Sequence, residues 1–279
     1  VIAESLVLPN DAGLVTVTGF GEELFLWNQA TGNLERMFAG HPEEIVSVDA
    51  SADGGVFATA GRDATIRLWN TQTGDELRRF DMIYNAGGLS HRIESAFAYS
   101  ARSALSVRLS PDASRLLVET PVYGPNGYSG TVLLVRDTGN GEVLWEDRRP
   151  HEANVDHIAH AEFTPDGTEV VYSQSDELVL VDAASGRRAR SISAVEDLVD
   201  TFINYFEIAP NGRTIVAKVG ESPTDRNTPD RVVRIYDVGS GAERRLDAPA
   251  EGQRADVQGV SSDGRRLLSR AGGQVYVRD

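Results

Sequence analysis

The chain has 279 residues, 41% of them hydrophobic, which is enough apolar content for a packed core. Its formal net charge of −15 opposes capture of nucleic acid or an anionic membrane, and the lack of cysteine excludes disulfides, thiolate nucleophiles and Cys-ligated metals. A single lysine, Lys218, against 26 arginines leaves no phosphate-binding P-loop and makes a Schiff-base enzyme implausible, while no apolar run reaches the roughly 18 residues of a membrane-spanning helix.

The predicted elements recur along the chain. The first unit, about 1–41, has a turn core Asn10-Asp11-Ala12-Gly13, a third run closing in Leu26-Trp27-Asn28, a Thr31-Gly32 turn and a charged fourth run, Leu34–Phe38. The second, about 42–82, repeats this as Ile45–Ala50, the turn Ala52-Asp53-Gly54-Gly55, Val56–Thr59, then Leu68-Trp69-Asn70, Thr73-Gly74 and Glu76–Phe80. The third, about 83–150, carries Pro111-Asp112-Ala113-Ser114, Val135-Arg136-Asp137 and Asn140-Gly141. The fourth, about 151–195, has Pro165-Asp166-Gly167-Thr168, Leu180-Val181-Asp182 and Ser185-Gly186. The fifth, about 196–248, has Pro210-Asn211-Gly212-Arg213, Ile235-Tyr236-Asp237 and Ser240-Gly241. The sixth, about 249–279, has Ser262-Asp263-Gly264-Arg265 and closes in Val277-Arg278-Asp279, with no fourth run.

Runs of period two bounded by Asp-Gly or Pro-Asp turns are strand–turn–strand signals. Four antiparallel strands repeated about every 40–55 residues predict an all-β propeller with six repeat units visible, possible members of a seven-bladed ring. With so little chain before the first run, the expectation is an excerpt of a longer protein.

The second unit identifies the resemblance. Gly40-His41, Thr59, Asp63 and Leu68-Trp69-Asn70 resemble the Gly-His, Ser/Thr, Asp and Trp-Asp pattern of the WD40-repeat β-propeller family. The resemblance implies that His41, Thr59, Asp63 and Trp69 form a structural hydrogen-bond chain within the blade. The first unit departs from the pattern at Gly21, where Asp63 would align, and the third to sixth lack the Trp.

Arg78-Arg79, Arg148-Arg149, Arg187-Arg188 with Arg190, and Arg244-Arg245 lie on or near outer strands, where charge discourages edge-to-edge pairing. Insertions fall at 81–103, 147–156, 193–201 and 247–254 between units, and at 120–130 and 219–230 within them. In an antiparallel blade these two kinds of connection emerge at the same end. On this loop face Tyr84, Asn85, His91, Tyr123, Asn126, Tyr128, Asp225 and Arg226 are the candidate partner-binding residues, because tyrosines in polar loops make protein-contact anchors. The bland reading is that the loops cap the core and the tyrosines pack beneath them.

His151, His157 and His160 cluster in sequence, yet His151 falls near a blade-start histidine position and His157 and His160 flank a first-strand run, so no metal is expected. Gly127-Tyr128-Ser129-Gly130 is followed by Thr131, not the glycine of a nucleophile elbow. The reading is therefore a non-catalytic protein–protein interaction scaffold without cofactor, the regulatory or sensor propeller of a larger bacterial signalling protein in the cytoplasm. Its partner would be a protein or peptide, including another domain of the same polypeptide, and neither nucleic acid nor membrane. The alternative is an exported quinoprotein-like propeller binding a small ligand at a central channel, and a third reading is a purely architectural role.

Overall fold

The computed structural model describes residues 2–18, 23–86, 89–92, 106–124, 127–150, 158–174, 176–193, 201–221, 232–246, 256–271 and 274–278. The chain divides into two compact units, Val1–His151 and Glu152–Asp279.

The first unit holds three four-stranded antiparallel sheets, each in simple chain order. Blade one is β1 (Ile2–Leu8), β2 (Gly13–Thr18), β3 (Leu24–Trp27) and β4 (Leu34–Phe38); blade two is β5 (Ile45–Ala50), β6 (Val56–Gly61), β7 (Thr65–Asn70) and β8 (Glu76–Asp81). A two-stranded hairpin, β9 (Ile83–Ala86) and β10 (Leu89–Arg92), precedes blade three. That blade is β11 (Ser106–Leu109), β12 (Arg115–Gly124), β13 (Gly127–Asp137) and β14 (Val143–Pro150). The second unit holds blade four, β15 (Ile158–Phe163), β16 (Glu169–Gln174), β17 (Glu177–Asp182) and β18 (Arg188–Ser193), and blade five, β19 (Thr201–Ile208), β20 (Thr214–Glu221), β21 (Val232–Asp237) and β22 (Glu243–Leu246). Its last sheet has three strands, β23 (Asp256–Val260), β24 (Leu267–Ala271) and β25 (Gln274–Arg278).

The six-fold strand repeat read from the turns is therefore the architecture observed. Three expectations are corrected. The insertion at 81–103 contains a hairpin, in which Tyr84 pairs with His91 and Asn85 with Ser90. The insertion at 120–130 continues the ladder between β12 and β13 as far as the Gly124–Gly127 pair, because the strand formers Val122, Tyr123, Tyr128 and Thr131 favour extended pairing. The stretch from 147 begins as strand, with Arg148 and Arg149 opposite Val132 and Thr131.

The two central strands of blade four are covered on both faces, so β17 reads as the continuous apolar run Leu178-Val179-Leu180-Val181, all buried. Sheet-to-sheet cores follow one rule. Val15, Leu24 and Leu26 of blade one cluster with Ile45, Val48, Phe57 and Trp69 of blade two. Ala58, Ile66 and Leu68 of blade two cluster with Val107, Leu109, Leu116 and Val118 of blade three. In the second unit Val171, Leu178 and Leu180 meet Ile203, Phe206, Ile208 and Ile215, and Val216, Val233 and Ile235 meet Val260 and Leu267. Phe38, Phe57 and Trp69 add edge-on and stacked ring contacts at the first of these interfaces.

The recurring Asp turn has a common chemistry. The Ser51 hydroxyl donates to Asp53 at 2.6 Å and the Gly55 amide donates to the same oxygen at 2.9 Å. Ser110 with Asp112, Thr164 with Asp166 and Ser261 with Asp263 repeat the 2.6 Å hydroxyl bond. These bonds hold the carboxyls below the ordinary range, Asp112 at about 2. Among the described residues no helix is long and apolar enough to cross a membrane.

Candidate functional site

Blade two builds a buried polar chain across its interior strands. Trp69 on β7 donates its indole N–H to Thr59 Oγ1 on β6 at 2.9 Å, and the same hydroxyl lies 2.7 Å from His41 Nε2. His41 Nδ1 is 3.1 Å from both carboxylate oxygens of Asp63. The ionised carboxylate can only accept, so Nδ1 carries the proton, Nε2 accepts from Thr59, and every donor has an acceptor when the ring is neutral. Burial depresses the His41 pKa in the same sense, against the opposing pull of Asp63. Asp63 is itself pushed up by burial, but His41 and hydrogen bonds from Thr65 outweigh this and hold it below the ordinary range. Arg67 closes the chain on its outer side, 2.7 Å from Glu76 and 3.4 Å from Asp63. Two glycines make room for it. A Cβ at Gly61 would collide with the His41 ring, and one at Gly40 would sit 2.6 Å from Trp69 Cη2.

Parts of this chain recur where the sequence reading did not look. In blade one Trp27 donates to Thr16 Oγ1 at 2.8 Å, the same Trp–Thr pair in the same register. In blade five Arg234 pairs with Glu243 at the positions of Arg67 and Glu76, and Tyr236 fills the Trp69 position fully buried.

A second set of contacts ties one blade to the next. Asp49 accepts the Leu109 amide at 2.7 Å, Glu162 accepts the Ile208 amide at 2.7 Å, and Glu207 accepts the Val260 amide. All three acids stand two residues before the residue that opens the turn: Ser51, Thr164 and Ala209. Arginines make the second tie. Arg36 on β4 donates to the Gln72 carbonyl at 2.9 Å, and Arg78, at the matching position on β8, donates to the Gly139 carbonyl. Arg78 thus differs from its neighbour: Arg79 is exposed, as edge protection requires, whereas Arg78 is a strap.

The candidate surface residues are placed as follows. Tyr84 and Asn85 lie on β9 and His91 on β10; Tyr123 and Tyr128 face each other in the register of β12 and β13. Asn126, Asp225 and Arg226 lie outside the described residues, as do His151 and His157. His160 is buried, its ring 4.7 Å from that of Tyr205 and 4.9 Å from that of Phe206. At the opposite, short-turn end, blades one and two enclose a cleft of about 330 Å³ lined by Ala12, Leu26, Glu35, Arg36, Asp53 and Thr71, among others. Asp53 and Arg36 are already bonded there within the fold.

Comparison with known proteins places these features. The model of the WD domain, G-beta repeat, matches residues 32–70, the stretch that holds His41, Thr59, Asp63 and Trp69. A guanine nucleotide-binding protein subunit beta of Nicotiana tabacum is 32% identical over 28% of this chain and 21% of its own length. WD repeat-containing protein 18 of Rattus norvegicus is 31% identical over 21% of this chain and 14% of its own. Eukaryotic translation initiation factor 3 subunit I of Coccidioides immitis is 27% identical over 45% of this chain and 31% of its own. The matches thus span less than a third of each of these relatives. Among solved structures, the Cps50 (Swd1) β-propeller domain of Myceliophteria thermophila superposes with a TM-score of 0.64 at 15% identity, over 99% of this chain and 82% of that one. In fold the chain is a β-propeller, and its residues 32–70 match the WD domain, G-beta repeat.

Proposed function

We propose that this chain is a non-catalytic protein-interaction scaffold, the propeller part of a larger signalling or regulatory protein. The observation that carries the reading is the convergence of two hairpins at one end of blade three. β9–β10 lies between the last strand of blade two and the first of blade three, and β12–β13 is the second-to-third connection of blade three, so chain order brings both to the end opposite the Asp turns. They carry Tyr84, Asn85, His91, Tyr123 and Tyr128, residue types that supply rigid contact area with a polar tip. The relatives' names support the reading at the level of proteins that work in assemblies: a subunit of a guanine nucleotide-binding protein and a subunit of an initiation factor. The bacterial source rests on the arginine-rich, single-lysine composition, whereas those relatives are eukaryotic. The chain's acidity favours a basic partner face.

The test is site-specific photocrosslinking in the native host. A crosslinker at position 84 or 128 should trap a defined protein, and one at Arg265, in the turn end of blade six, should not. Replacing Tyr84, Tyr123 and Tyr128 together with alanine should then weaken capture of that protein by about tenfold or more with the fold intact. Crosslinks confined to position 265, or capture unchanged in the triple variant, would overturn the reading.

A further inference from the structure

In the first unit the Asn or Asp that closes each blade's third run, Asn28, Asn70 or Asp137, is followed by a residue with a polar side chain: Gln29, Thr71 or Thr138. In two blades that side chain bonds back onto the turn between the first two strands of its own blade. Gln29 donates to the Gly13 carbonyl at 2.7 Å, and the Thr138 hydroxyl donates to the Ala113 carbonyl at 2.7 Å. Thr71 breaks the series. Its amide keeps the backbone bond of this position, to the Gly55 carbonyl at 3.0 Å, as the Thr138 amide keeps one to Ser114. Its hydroxyl is buried and, among the described residues, has no hydrogen-bond partner. A fold that satisfies this position in two neighbours and leaves it open in the third holds a polar group in reserve.

Thr71 lines the cleft of about 330 Å³ between blades one and two, and the groups around it are spare in the same sense. Arg36 uses one N–H donor, on the Gln72 carbonyl, and among the described residues keeps the others. Its stem lies against the Gly74 turn, where a Cβ would come 2.5 Å from Arg36 Cδ. Asp53 takes the Ser51 hydroxyl and the Gly55 amide on the same oxygen, Oδ1, which leaves Oδ2 for another donor. Those two bonds hold its carboxyl below the ordinary range. Glu35 accepts from Asn28 on Oε1 alone, at 2.7 Å. Leu26 and Ala12 supply an apolar wall.

We propose that this cleft binds a small zwitterion, an α-amino acid, with its carboxylate on Arg36 and the Thr71 hydroxyl and its ammonium on Asp53, beside Glu35. The lining decides the class. Two carboxylates repel a phosphate ester or a dicarboxylate, and a plain amine leaves the Arg36 guanidinium facing it unmatched. One molecule carrying both charges answers both signs, and its side chain meets Leu26 and Ala12. A cleft near the lower end of the roughly 300–1,000 Å³ spanned by ligand pockets takes a molecule of this size and not a nucleotide. The site lies at the turn end of the first unit and does not rest on the tyrosine hairpins.

The test is equilibrium dialysis of the purified protein against each free α-amino acid, followed by titration of the best binder in amide NMR spectra. At least one should bind with a Kd of about 10 mM or tighter. The amine lacking its carboxylate and the acid lacking its ammonium should each bind at least about tenfold more weakly. The Gly54, Gly55 and Gln72 amides should shift on titration, and the Gly212 and Gly264 amides, in the matching turns of the second unit, should not. Thr71→Val keeps the shape and removes the spare hydroxyl, so it should weaken binding by about fivefold or more without lowering the unfolding midpoint of the ligand-free protein. Thr138→Val, which breaks a bond within the fold, should leave binding unchanged. No amino acid binding at that level, equal binding of the amine or the acid, or shifts confined to other turns would overturn the proposal. So would unaltered affinity or a lowered midpoint in Thr71→Val, the latter because it would show the hydroxyl to be bonded within the fold.

Discussion

Asp49 and Leu109 are 60 residues apart, and the carboxylate of one accepts the backbone N–H of the other at 2.7 Å. The bond joins the first strands of two successive blades, and Glu162 with Ile208 repeats it in the second unit. Burial pushes the Asp49 pKa up, with Arg108 opposing. Removing the acceptor leaves a buried donor unsatisfied, so Asp49→Ala should cost about 1–3 kcal/mol in urea unfolding. Asp49→Asn keeps an acceptor oxygen and should lose less than half as much.

Thr59 serves two donors or acceptors at once, whereas Thr16 serves Trp27. Thr59→Val keeps the shape and deletes the hydroxyl, leaving both the Trp69 N–H and His41 Nε2 stranded. The expected loss is about 2–4 kcal/mol, against about 1–2 kcal/mol for Thr16→Val, both read by denaturant melts.

Two groups give the pH dependence opposite signs near neutrality. Burial raises Glu119 from 4.5 to about 7, so its contribution is present below 4.5 and lost as pH rises through 7. His41 is lowered from 6.5 by burial, so the unfolded chain takes up its proton first and stability falls as pH drops below 6.5. Across pH 5 to 7 the Glu119 contribution should therefore fall, while the His41 contribution rises toward pH 6.5. Glu119→Gln should remove that fall, so that relative to the wild type its stability rises by about 1 kcal/mol per pH unit across the window. Below pH 4 the turn aspartates take over: Asp112 stabilises above its ordinary 3.8 and loses that contribution as pH falls toward 2. A stability profile from pH 2 to 8 on the two proteins checks all three statements.

The Asp turns predict opposite outcomes for a pair of reciprocal substitutions. Gly54 has φ +69°, and a Cβ there would lie 2.8 Å from Ala12 Cβ and 2.9 Å from the Pro9 carbonyl. Ala113 occupies the matching position of blade three with φ +57°. Gly54→Ala should destabilise by about 1–3 kcal/mol, whereas Ala113→Gly should be neutral or stabilising by up to about 1 kcal/mol, since the left-handed strain it relieves offsets the added chain entropy.

The straps separate two adjacent arginines. Arg78→Met should cost about 1 kcal/mol through loss of the bond to the Gly139 carbonyl. Arg79→Met, at an exposed position whose nearest acid, Asp81, is 3.9 Å away, should stay within about 0.5 kcal/mol.

What could be read from sequence was what is local. The Asp53, Asp112 and Asp166 turns announce themselves because donor, acceptor and strand boundary all fall within five residues. The strand repeat follows from them. The ties at Asp49, Glu162 and Arg78 were invisible for the opposite reason: each partner is a backbone group in the next blade, and a backbone group leaves no residue type to recognise. A repeat alignment that noticed an acid two places before the turn at Asp49, Glu162 and Glu207 could have flagged them. The hairpin at 83–92 was missed because Ala86-Gly87-Gly88-Leu89 lies in a polar insertion where strand periodicity is only four residues long on each side.

The acid-to-amide ties and the arginine straps described here span one sheet boundary and no more, so mechanical information in each unit travels by adjacency. Strain placed on Asp49 reaches the Leu109 backbone in a single step. Double-mutant coupling should accordingly be strong between nearest blades and fade to additivity beyond them, as in a one-dimensional chain of interacting spins. Such a molecule can yield at one blade without transmitting the disturbance far, and the position of a bound partner would decide which few blades feel it.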